Sequence, residues 1–123
     1  MQIFRQQLIA AVGKTVGAGQ VGSDVEVLPR AVVFVLDVTK ADGNTPTLDV
    51  VVQSKDPVSN KYFTIETFTQ VTGSIGSERI EFKADTPRNL LESILRISYA
   101  ITHVSGADYD FTVSVQGKEG DEN

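Results

Sequence analysis

Residues 93–116, SILRISYAITHVSGADYDFTVSVQ, alternate apolar and polar side chains on either side of a polar interruption. Leu95, Ile97, Tyr99 and Ile101 share one face, with Arg96, Ser98, Ala100 and Thr102 on the other. Further on, Phe111, Val113 and Val115 alternate with Thr112, Ser114 and Gln116. Successive side chains of a strand point to opposite sides of a sheet, so a period of two predicts half-buried antiparallel β-structure. The stretch reads as a closing hairpin whose turn, residues 105–110, is exposed. The rest of the chain must cover its apolar face.

The same signal recurs upstream. DVEVLP predicts a short strand. AVVFVLDVTK predicts a longer one, with Val32, Phe34, Leu36 and Val38 inward and with Val33 and Val35 making its outer face apolar near the start. Asp42, Gly43 and Asn44 supply turn chemistry, and TLDVVVQSK returns with Leu48, Val50 and Val52 inward. That pair is the best hairpin candidate of the first half. KDPVSN predicts a turn, NKYFTIETF a strand with Phe63 and Ile65 inward, and ERIEFKA a strand with Ile80 and Phe82 inward. ADTPRNLLES has the composition of a single helical turn beginning at Thr86-Pro87 and ending by Leu91. Seven or eight short strands separated by Gly, Pro, Asn and Asp clusters predict an all-β protein, a single antiparallel β-sandwich of jelly-roll or immunoglobulin-like winding.

This reading divides the chain into three segments. Residues 24–117 form the sandwich, and residues 118–123 an acidic tail. Residues 1–23 are rich in Gly and small side chains and predict a flexible arm or an edge strand. Ile3, Phe4, Arg5, Leu8 and Ile9 on that arm are the candidate partner-contact residues. A chain of 123 residues buries enough surface for one core without staples. It has no cysteine, which excludes disulfides and thiol chemistry. With a net charge of −5 and scattered bases, it lacks the clustered Lys and Arg that a nucleic-acid surface needs. No apolar run reaches the length of a membrane span. The patch from Leu8 to Val12 is too short for a secretion signal.

Motifs that carry chemistry are weak. Residues 17–22, GAGQVG, match the spacing of a dinucleotide-binding loop. That loop opens a helix, however, and the next residues here, SDVEVLP, predict a strand. Gly13-Lys14-Thr15 is similar to the end of a phosphate-binding loop, but Leu8 stands where its first glycine belongs. His103 has no nucleophile or orienting carboxylate in a recognisable setting and reads as an exposed loop residue. Asp108 and Asp110 flank Tyr109 at a spacing that offers two oxygens to a hard cation, too few for a calcium site by themselves. The expectation is a non-enzymatic protein with no cofactor and no metal.

Three stretches, taken in order, carry a resemblance: FVLDVTKADGNTPTLDVVVQSKDP, TFTQVTGSIGSERIEF and LLESILRISYAITHVSGADYDFTVSVQGKE. Together they span residues 34–119 and resemble small β-sandwich structural proteins of tailed bacteriophage virions, although ADTPRNLLES is longer than the approach to the last strands in such proteins. The resemblance implies a head decoration, or cement, protein, made in the host cytoplasm and located on the capsid surface of the virion. It would bind the major capsid protein and stabilise the shell. A dimer or trimer would hide its exposed sheet edges. A minor neck or tail component is the sibling possibility, and a module binding carbohydrate or a host surface is the alternative of another class.

Overall fold

The computed structural model describes residues 2–15, 17–26, 31–83, 94–102 and 105–119. These form nine strands: β1 (Gln2–Lys14), β2 (Gly17–Val21), β3 (Val25–Glu26), β4 (Ala31–Asn44), β5 (Thr47–Lys55), β6 (Tyr62–Thr67), β7 (Gly76–Lys83), β8 (Ile94–Thr102) and β9 (Ser105–Glu119). One sheet has the order β1-β9-β4-β7. The other has the order β2-β8-β5-β6, with β3 also paired to β8. All pairings between these strands are antiparallel. No helix occurs among the described residues.

The pairs β5·β6, β4·β7, β2·β8 and β1·β9 nest inside one another. The chain therefore folds back about the β5–β6 turn as one long hairpin, which then wraps into two facing sheets. That order is the jelly roll. An immunoglobulin-like winding is excluded because β1 and β2 lie in different sheets.

This winding corrects two hairpins expected from the sequence. β8 and β9 belong to different sheets, and so do β4 and β5. The hairpin is instead β5–β6. Asp56 closes its turn, its carboxylate accepting bonds from the Ser59 amide at 3.0 Å and the Ser59 hydroxyl at 2.7 Å. These bonds hold the Asp56 carboxyl below its usual pKa. Alternation reports which way a side chain points and is silent about which strand lies alongside. Both sheets of a sandwich point apolar residues inward, so one pattern serves either partner.

Most of the described inward positions are where the alternation puts them; Ile65 and Ile80 are half-buried against the core, and the side chain of Val32 lies outside the described residues. Phe34, Leu36, Val38, Leu48, Val50, Val52, Leu95, Ile97, Tyr99, Ile101, Phe111, Val113 and Val115 are all buried. Tyr99 of one sheet meets Phe111 of the other edge-on, with ring centroids 5.1 Å apart. Phe63 departs from expectation at 57% exposed. β6 is an edge strand with a register shift opposite Val52 and Gln53, where Ile65 is the extra residue, and Phe63 sits beyond that bulge. The turn expected at residues 105–110 is the start of β9. Ala107 and Tyr109 there are buried, which corrects the exposed reading.

Candidate functional site

Residues 1–23, expected as a flexible arm or an edge strand, contain β1 and β2, each at the edge of its sheet. β1 pairs with β9 from Gln2 opposite Glu119 to Lys14 opposite Tyr109. Two register shifts interrupt it, between Gln7 and Ile9 and between Ala11 and Lys14. At the second, Gly13 takes φ +64°, and its amide donates to the Asp110 carboxylate at 2.7 Å. A glycine is suited to that left-handed position. Among the described residues, nothing pairs with the outer edge of β1.

Of the five expected contact residues, Leu8 turns inward and is 4% exposed, so it serves its own core and offers no surface to a partner. Ile9 is half-buried and packs against that core. Arg5 is exposed. Ile3 and Phe4 lie on β1 by backbone pairing, opposite Lys118 and Gly117, and their side chains lie outside the described residues. Sequence reasoning missed Val12, which is 74% exposed at the bulge. A glycine directly after an alternating run is the signal for such a bulge.

β1 and β2 face each other across the open side of the sandwich and leave a cleft of about 370 Å³. Leu8, Ala11 and Tyr99 lie along its wall, with Gln7, Lys14 and Ser23 among the polar lining. A second cleft of about 230 Å³ lies where the β6–β7 connection crosses the end of the sandwich, between Leu36, Val38, Ile75 and Glu78. Glu78 there accepts bonds from the Thr69 amide and hydroxyl at 2.8 and 3.1 Å, tying the loop to β7.

The Asp108/Asp110 pair has structural partners. Asp110 holds the Gly13 bulge, and Asp108 pairs with Lys40 at 2.8 Å. The Lys40 ammonium is held above its usual pKa by the hydrogen bond and charge of Asp108, with smaller contributions from Asp110 and Asp42. No group of three or more His, Cys, Asp or Glu with metal-binding geometry occurs among the described residues. The GAGQVG string lies in and just after the extended β2. His103 and the turn expected at ADTPRNLLES lie outside the described residues.

On the outer face of the second sheet, Arg96 lies 3.4 Å above the Tyr62 ring, and its Nε donates to Gln53 at 2.7 Å. The Tyr62 hydroxyl donates to the Asp24 carboxylate at 2.7 Å, and Lys55 lies 3.7 Å from the same group. The tyrosine is held by partners at its ring and at its hydroxyl.

No protein-family model and no curated protein matches the sequence. Among solved structures, the chain is similar to the CBM22-1–GH10 modules of the Clostridium thermocellum endo-1,4-β-D-xylanase 10B complexed with xylohexaose. The identity is 13% and the TM-score 0.50, over 98% of this chain and 27% of that one. It is also similar to a chain in the structure of infectious bursal disease virus, Gt strain, at 9% identity and a TM-score of 0.44, over 94% of this chain and 33% of that one. The chain thus spans about a third or less of either protein, and at this identity the first likeness is one of fold. No helix among the described residues is long and apolar enough to cross a membrane.

Proposed function

We propose that this chain is a non-enzymatic structural protein of a phage virion, acting as a head decoration protein that binds the outside of the capsid and stabilises it. The observation that carries the reading is the ordered set of three stretches across residues 34–119. They fall on β4–β5 and β8–β9, which are the central strands of both sheets, and on the end of β6 through the edge strand β7. The jelly roll supports it as an architecture used by capsid proteins, although lectins share the fold and the fold alone does not choose between them. Many copies attached through modest contacts clamp a shell by multivalency.

The test is the composition of purified virions. The decoration role requires this protein in a copy number comparable to the major capsid protein. Its absence, or a few copies at a neck or tail, would reject that role.

Carbohydrate binding is the second reading, favoured by the likeness in fold to a structure that includes a carbohydrate-binding module. Sugar sites stack pyranose rings on open aromatic faces. Tyr62, the aromatic on the outer face of the second sheet, has Arg96 stacked on its ring, which weighs against such a platform there. Retention of the isolated protein on xylo-oligosaccharides or a glycan array would favour this reading over the first.

A further inference from the structure

The four sheet edges are not equally protected. β7 carries Glu78, Arg79, Glu81 and Lys83, charges that discourage edge-to-edge pairing. β6 is short and bulged, and β2 is short and irregular in register. β1 is the long edge, and its bulges leave an uninterrupted run from Gln2 to Gln7 in steady register with β9. No described strand pairs with the outward N–H and C=O groups of that run, which form a template that another strand can join. β1 also carries two bases, Arg5 and Lys14, and no acid, on a chain whose net charge is −5. Lys14 lines the cleft beside this edge, together with Gln7 and Ser23.

We propose that the outer edge of β1 is a strand-addition site for an extended, acidic segment of a neighbouring polypeptide. This rests on reading the chain as a subunit of a larger assembly. The incoming backbone pairs with residues 2–7 and extends the sheet by one strand. Its side chains place one carboxylate near Arg5 and another at the cleft beside Lys14. Main-chain bonds supply affinity, and the two bases with the cleft supply selectivity. At about 3.3 Å per residue, a segment of about eight residues or more engages both bases. A second copy of this chain fits less well, because β1 against β1 brings four bases together with no acid.

The experiment uses the full chain and two synthetic peptides, one repeating Glu-Val-Val-Glu, which presents carboxylates on both faces of a strand as Arg5 and Lys14 require, and one with lysine in place of each glutamate. Backbone amide exchange is read residue by residue. The acidic peptide is expected to protect β1 amides saturably, and the lysine peptide is not. The Arg5→Glu, Lys14→Glu double variant should weaken the acidic peptide's binding by about tenfold. Slow exchange in β4 and β9 reports that the variant remains folded. Protection at β6 or β7 instead, equal protection by both peptides, or no protection would overturn the site. Protection of β1 without peptide, rising with protein concentration, would assign the edge to a second copy and overturn the acidic partner. Attachment to virion shells with β1 amides still exchanging would overturn strand addition and leave the decoration role standing. Capture of the acidic peptide at β1 by a protein absent from virions would support the site and reject only the role.

Discussion

The hydroxyl of Tyr109 accepts a hydrogen bond from the Gly73 amide at 3.3 Å, and its ring is fully buried. A side chain from the start of β9 thereby anchors the β6–β7 connection, which crosses from one sheet to the other. Burial raises the Tyr109 phenol above its usual pKa, so it is neutral at physiological pH. Tyr109→Phe keeps the ring and deletes the acceptor. A loss of about 1 kcal/mol in denaturant unfolding is expected, with faster amide exchange at Gly73. Unchanged exchange there would show that the loop is held by other contacts.

Leu8 decides whether β1 belongs to the fold. It comes from an edge strand yet is 4% exposed, within a core shared with β8 and β9. Leu8→Ala should cost about 2–3 kcal/mol in chemical denaturation. A cost near zero would mean that β1 is a detachable arm.

Gly43 stands where the β4 and β9 backbones approach closely. Its φ is +127°, and a methyl group there would sit 2.8 Å from the Ala107 Cα. Gly43→Ala should destabilise by about 1–3 kcal/mol, readable as a lower melting temperature. The same change at Gly13, where an added methyl meets nothing within 4 Å beyond its chain neighbours, meets backbone strain without that clash.

Glu66 lies opposite Val52, and desolvation raises its carboxyl above the ordinary value of 4.5. The folded state therefore keeps this proton to a higher pH than the unfolded chain does, and stability falls as pH rises through that window. Glu66→Gln should stabilise the protein at pH 7 by about half a kcal/mol or less. The gain should shrink to nothing below the ordinary value. A gain that persists in acid would assign the effect to something other than ionisation.

The sequence was most legible where burial alone governs it. From Leu95 to Ile101 and from Phe111 to Val115, inward and outward positions come directly from period two. Tyr109 continues that period at Ala107 and Phe111, but the flanking Gly106, Asp108 and Asp110 have turn composition and conceal it. Pairing was the illegible part. Nothing local to Asn44 or Thr102 says that the next strand joins the opposite sheet, because that choice depends on distant partners such as Gln2 with Glu119 and Thr47 with Thr102. Of the expected contact residues, Arg5 is exposed as the sequence suggests, whereas Leu8 is buried. Leu8 shows a similar pattern whether it faces a partner or its own core.

The nested pairing also sets the order in which the protein can be built. As the chain leaves the ribosome, β5 and β6 can close within moments of each other, since only a short turn separates them. β1 precedes the other described strands in the chain, but its partner β9 follows all of them. Until then Leu8 and Ala11 have no β9 to pack beside. Such long-range closure slows folding and lengthens the time that an apolar strand is exposed to other nascent chains. On crowded polysomes, β1 is therefore the described strand that waits longest for its partner.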